Sequence, residues 1–150
     1  MPEIRLETFI DADINLVFDL SRSVELHQLS TVESKERVVA GRLSGLMELD
    51  ESVTWEACHF GVIQQLSSKI TALRQPDYFV DEMQKGIFFS FKHEHIFKSQ
   101  LSGTIMIDVF NYVAPLGILG RLADRLFLYA YMKNLLIKRN EVIRLHAEQK

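Results

Sequence analysis

Between residues 33 and 112 the chain reads as one strand after another, and beyond Pro115-Leu116-Gly117 it reads as a single helix to near its end. Segments 34–40, 46–60, 63–74, 77–84, 87–98 and 103–112 have strand texture and are bounded by Gly41, Gly45, Gly61, Pro76, Gly86 and Gly103. Short links between consecutive strands imply an antiparallel meander. Ahead of this run, residues 3–10 alternate as a further strand, with Ile4, Leu6, Thr8 and Ile10 on one side. Asp11 or Asp13 can cap a short helix carrying Ile14, Val17 and Phe18, and Ser21 or Ser23 can open a second one through Leu29. In the last segment Leu119, Leu122, Ala123, Leu126, Ala130, Leu135 and Ile137 recur at helical spacing. That helix is about 30 residues, or about 45 Å at 1.5 Å per residue. Seven antiparallel strands have one face to bury, and the simplest cover is the long helix, with the sheet curved around it. A curved sheet and a cylinder do not fill each other's space, so an internal cavity is expected. The expected fold is α+β, one domain over residues 1–150.

The 150 residues are 47% apolar and 25% charged, with a net charge of −3. Those values suit a globular domain and argue against a general nucleic-acid binder. One cysteine, Cys58, allows no internal disulfide, and the N-terminus has no signal-peptide apolar core, so a cytoplasmic location is expected. Arg121, Asp124, Arg125 and Lys133 interrupt the most apolar stretch, Leu116 to Ile137. A spanning helix needs about 20 nearly uncharged residues, so stable membrane insertion is not expected.

Several local segments carry a family likeness. They are Ile10-Asp11-Ala12-Asp13-Ile14 with Val17-Phe18-Asp19-Leu20, Val53-Thr54-Trp55-Glu56-Ala57 with His59-Phe60-Gly61, Phe79-Val80-Asp81-Glu82-Met83 with Gly86, His93-Glu94-His95-Ile96-Phe97, and Gly103-Thr104-Ile105-Met106-Ile107-Asp108 before Pro115-Leu116-Gly117. With the element order, they make the chain resemble the helix-grip fold of the START / Bet v 1-like (SRPBCC) superfamily, in a bacterial branch of SRPBCC and cyclase-like proteins. The resemblance implies a hydrophobic cavity between sheet and C-terminal helix. It names no ligand, because the superfamily includes lipid carriers, hormone receptors and aromatase/cyclases.

Strand alternation then proposes a lining. If Met83 pairs near Phe88 across a turn at 84–87, one face of the hairpin holds Tyr78, Val80, Glu82, Ile87, Phe89, Phe91, His93, His95 and Phe97. That face is the richer in aromatics and lacks the lysines, so it is taken to point inward; a slip of one residue would exchange the two faces. Trp55 and His59 share a face on the earlier strand. The expected ligand-binding set is Trp55, His59, Glu82, Phe91, His93, His95 and Phe97 on strands, with Leu119, Ala123, Leu126 and Ala130 on the helix. A few polar groups in an apolar pocket are the usual plan of a small-molecule site.

The sharper chemistries are weaker. His93 and His95 at i, i+2, with His59 or Glu82 as a third ligand, would have metal-ligand geometry, but His-x-His alone is a poor signal and neither metal nor cofactor is expected. Asp81 with Glu82, or Glu94, could serve acid/base work in a cyclase-like pocket. No nucleophile elbow or phosphate loop occurs, Cys58 reads as packing, and no catalytic residue is assigned. Residues 126–132 are apolar all round, which leaves a flank for a second subunit as in a homodimer, while 138–150 reads as a solvated helix end. The leading expectation is binding or carriage of a small hydrophobic molecule (lipid-like, polyketide-like or aromatic). The alternatives are an aromatase/cyclase-like enzyme and a structural or regulatory interaction protein.

Overall fold

A computed structural model describes residues 2–149. Strand β1 (Glu3–Ile10) leads into helices α1 (Ile14–Ser21) and α2 (Val24–Ser30). Strands β2 (Arg37–Gly41), β3 (Ser52–His59), β4 (Val62–Arg74), β5 (Tyr78–Lys85), β6 (Ser90–Gln100) and β7 (Gly103–Val113) follow. The chain ends in one continuous helical rod: α3 (Gly117–Ala123), a π-helical turn (Asp124–Leu128) and α4 (Tyr129–Ala147). The strands form a single antiparallel sheet in the order β1-β7-β6-β5-β4-β3-β2. This is the expected seven-stranded helix-grip architecture. Residues 46–51, read as strand from their composition, instead run as a loop into β3.

Local chemistry explains the helix starts. Asp13 is extended and its carboxylate accepts from the Asn15 amide at 2.9 Å, while the Ser23 hydroxyl accepts from the Leu26 amide at 3.2 Å. Each satisfies one orphan donor of a first turn. The sheet bends because β4, 13 residues long, carries irregularities at Ser67/Ser68 and Ile70/Ala72 where it pairs with β5. Bulges of this kind increase local twist and curvature.

Two apolar clusters hold the halves together. Val17, Phe18, Trp55, Phe79, Phe97 and Met106 pack with Ile143 and Ala147 of α4. Ile4, Phe88, Phe91, Phe110 and Tyr112 pack with Leu136. The second half of the rod is thus clamped against α1, α2 and the sheet. The first half stands away from it, with Ile118, Leu119, Leu122, Leu126 and Phe127 exposed. Gly120 is the close-approach point at this end: a Cβ there would lie 1.6 Å from the Pro115 carbonyl oxygen. No helix among the described residues is long and apolar enough to cross a membrane.

Candidate functional site

Where the rod lifts from the sheet, a cavity of about 410 Å³ opens between them. Apolar side chains from β3 to β7 and from the rod form most of its wall. Of the residues expected there, Trp55, His59, Phe91, His93, His95, Leu119 and Ala123 do line it.

Four do not, for two reasons of register and one of depth. In the β5–β6 hairpin Phe79 opposes His95, Asp81 opposes His93 and Glu82 opposes Lys92. Residues 86–89 form the connection in place of a tight turn at 84–87, and Phe88 turns inward against Phe91, Phe110 and Tyr112. The pairing is therefore shifted by three residues from the expected Met83–Phe88 match, and because that shift is odd it puts Phe79 and Asp81 on the cavity side and Glu82 on the opposite face. On the rod, the Tyr129 amide donates to the Asp124 carbonyl, closing a π turn. The extra residue moves the cavity-facing stripe from Leu126 and Ala130 to Phe127 and Tyr131. Leu126 is 70% exposed, and Ala130 is exposed too. Phe97 points inward but lies deeper, edge-on to Phe18 at 5.3 Å and stacked beside Phe79 at 6.0 Å, as core.

The floor of the cavity is a buried polar cluster. Asp108 on β7 is fully buried. Its carboxylate accepts from His93 Nε2 at 2.8 Å, Asn140 Nδ2 at 2.7 Å and Arg139 Nη1 at 3.3 Å. Arg139 also donates to Asn140 Oδ1 at 2.8 Å, the Ser21 carbonyl at 3.3 Å and His95 Nδ1 at 3.3 Å. A guanidinium only donates, so His95 Nδ1 holds a lone pair and its proton sits on Nε2, which donates to Asp81 Oδ2 at 2.7 Å. The two imidazoles stack at 3.7 Å between centroids, and Phe79 covers the far side of His95 at 4.0 Å.

Electrostatics follow from this geometry. Burial pushes His95 down to about 3, with His93 and Arg139 adding to the effect and Asp81 opposing it, so the ring is neutral at physiological pH. Burial alone would raise Asp108, but the His93 hydrogen bond and the Arg139 charge hold its carboxyl well below the usual carboxylate range. Asp81 is likewise held low against the cost of burial, mainly by His95.

Sequence reasoning missed Asp108, Arg139 and Asn140. The end of the rod is not simply a solvated tail: Arg139 and Asn140 are buried there, with Ile143 and Ala147. One signal was present, a lone acid within Ile105-Met106-Ile107-Asp108-Val109-Phe110, because a carboxylate inside an apolar strand needs a buried partner.

A second polar group lies on the same wall as Trp55. His59 Nδ1 is 2.6 Å from the Tyr131 hydroxyl, and the His27 ring packs on Trp55 at 4.3 Å while its Nε2 approaches Glu36 Oε1 at 3.4 Å. Phe60 closes over Tyr131 and Phe127 at 4.5 and 5.5 Å.

Metal-ligand spacing occurs among the described residues at Asp81, His93 and His95, whose donor atoms lie within 4.8 Å of one another. The third member is Asp81, not His59 or Glu82. The set is already joined by hydrogen bonds to Asp108 and Arg139, and a cation there would have to break the His95–Asp81 bond and meet the guanidinium.

No protein-family model matches the sequence, and no curated protein matches it. Solved structures do match in shape. Protein TTHA0849 from Thermus thermophilus superposes with a TM-score of 0.75 at 21% identity, covering 99% of this chain and 100% of its own. The Zhui aromatase/cyclase from Streptomyces sp. R1128 gives 0.77 at 13% identity over 98% and 93%. Major latex-like protein 151 from Panax ginseng gives 0.67 at 13% identity over 99% and 98%. The likeness is one of fold: the chain has the helix-grip fold, a curved seven-stranded antiparallel sheet around a long C-terminal helix, shared with these structures.

Proposed function

We propose that the protein binds a small, mainly apolar molecule (lipid-like, polyketide-like or aromatic) in the cavity between sheet and rod, with its polar end turned to the floor cluster. The observation that carries this reading is the cavity itself: about 410 Å³, walled by apolar side chains and floored by polar ones. Ligand sites fall at about 300–1,000 Å³ and combine these two kinds of lining. Its contacts are expected from Trp55, His59, Phe91, His93, His95, Leu119 and Ala123, joined by Phe79, Phe127 and Tyr131. Glu82, Phe97, Leu126 and Ala130 are left out of the set.

Native mass spectrometry of gently purified protein, with thermal melts against fatty acids and flat aromatic phenols, tests the reading. A ligand at about a hundred times its Kd stabilises by about 2.7 kcal/mol. At roughly 2–4 °C per kcal/mol for a domain this size, the melt should rise by about 5–11 °C. No adduct and no shift across the panel would overturn it.

Two further readings have specific support. An aromatase/cyclase-like activity is favoured by the match in shape to the Zhui aromatase/cyclase and by polar side chains converging on one point of the cavity. A homodimer contact is favoured by the exposed Ile118, Leu119, Leu122 and Leu126, and a strict monomer by light scattering would dispose of it.

A further inference from the structure

The floor cluster contains one basic nitrogen that its own hydrogen bonds leave open. Among the described residues, both ring nitrogens of His95 are engaged, by Arg139 and by Asp81. His93 differs. Its Nε2 is held by Asp108 at 2.8 Å, while none of the described residues hydrogen-bonds its Nδ1; Asp81 Oδ2 stands off at 4.0 Å. The described residues contain no buried side-chain nitrogen or oxygen lacking a partner, so this Nδ1 is not sealed in the core, and His93 lines the cavity.

The tautomer follows from the partner. Asp108 is ionised and can only accept, so the His93 proton lies on Nε2 and the lone pair lies on Nδ1, facing the cavity. A fully buried carboxylate fixing an imidazole so that its other nitrogen meets a bound molecule is the arrangement by which a histidine serves as a base. Gain of a proton at Nδ1 would place the imidazolium between two carboxylates, Asp108 at 2.8 Å and Asp81 at 4.0 Å. A pair with only a structural role would satisfy both ring nitrogens, as His95 does.

We propose that His93 is a general base acting on a carbon acid in the cavity, with Asp108 as its positioning residue. This rests on the ligand-binding reading above. The substrate class is a molecule with a C–H next to a carbonyl group. His93 Nδ1 takes the proton, and the C–H electron pair moves into the bond to the carbonyl carbon, giving an enolate beside the Arg139 guanidinium that also lines the site. The imidazolium returns its proton to another atom of the same molecule. The net change is an isomerisation, and it needs no oxidant, reductant or second substrate.

The probe is 5-nitrobenzisoxazole, a small aromatic carbon acid that opens to a coloured nitrophenolate when a base removes its ring proton and the N–O bond breaks. Wild-type protein should open it roughly 100-fold faster than His93→Gln, since a placed general base contributes about 10²–10⁴. Equal rates, with probe binding shown separately by a thermal shift, would overturn the base and leave the binding reading intact. Imidazole nitrogen NMR on the unliganded protein gives a second decision that does not depend on the probe or on folding of a variant. His93 should be the Nε2–H tautomer, and an Nδ1–H tautomer would overturn the proposal. In Asp108→Asn a loss of that tautomer preference together with a lowered rate is expected; an unchanged tautomer and rate would refute the positioning role.

Discussion

Replacing Arg139 by methionine removes the one cation of the floor cluster while keeping a side chain of similar reach. Arg139 is only 8% exposed and donates to four groups: Asp108, Asn140, the Ser21 carbonyl and His95. Asp108 would keep His93 and Asn140, but the fully buried carboxylate would lose its counter-charge. Removing one partner of a buried pair costs about 3–5 kcal/mol, because the other charge is left uncompensated. At roughly 2–4 °C per kcal/mol for a domain this size, the melting temperature should fall by roughly 6–20 °C. Urea unfolding at neutral pH measures the loss directly, and an unchanged m-value would show that the two end states are the same. The cause is isolated by repeating Arg139→Met in an Asp108→Asn background. Residues in one network couple by about 0.5–3 kcal/mol, so the arginine should matter less once the carboxylate is gone. An equal cost in both backgrounds would show that Arg139 acts through its other hydrogen bonds and not through the Asp108 charge, and a loss below about 1 kcal/mol would show that the methylenes which methionine retains carry its contribution.

Acid should destabilise the protein well before ordinary carboxylates titrate. His95 binds its proton in the unfolded chain near 6.5 but in the fold only near 3, so its contribution is complete above about 6.5 and declines as pH falls from there, by up to about 1.4 kcal/mol per pH unit. Asp81 and Asp108, held low in the fold, add their own losses below about 4. Denaturant unfolding of His95→Gln should therefore show a flatter slope between pH 6 and pH 4, and a slope equal to wild type would reject the assignment. The π turn gives a test of helix register: Phe127→Ala should weaken binding of a fluorescent apolar probe such as anilinonaphthalenesulfonate, whereas Leu126→Ala should leave it unchanged. The reverse order would mean that the stripe follows ordinary helical spacing.

Much of the architecture was legible because it rests on patterns that repeat. Glycine and proline punctuation between short alternating segments gave the sheet, and a helical stripe after Pro115 gave the rod. Half-buried strands also identified Trp55, His93 and His95 as inward residues. The losses came where the phase of an element changes. Four residues at 86–89 carry the hairpin around, with Phe88 buried, and the odd shift in pairing exchanged Asp81 for Glu82. One extra residue in the π turn exchanged Phe127 and Tyr131 for Leu126 and Ala130. Neither is visible to a count of apolar positions, since both choices offer plausible side chains on either face. Arg139 and Asn140 were missed for another reason. Flanked by Lys138 and Glu141 they look like solvent-facing helix, and only the distant Asp108, 31 residues earlier in sequence, makes their burial favourable.

The position of the polar cluster bears on why it is there at all. A buried set of two carboxylates, two imidazoles and a guanidinium is a poor way to stabilise a core, since well-packed apolar residues of the same volume are often as good or better. The cavity beside it is a second departure from dense packing, because its walls forgo contacts they would otherwise make. Both departures meet at one place, where Asp81, His93, His95 and Arg139 face the cavity between sheet and rod, while the side chains of the apolar clusters beyond the cavity wall, such as Phe18, Ile143 and Tyr112, pack without either. Sequences that obey the packing rules elsewhere and break two of them together do so where function requires it. A lone cavity would suit carriage, and a lone satisfied network would suit structure. Their coincidence, with His93 Nδ1 left open between them, is what separates a site that holds a molecule from one that also acts on it.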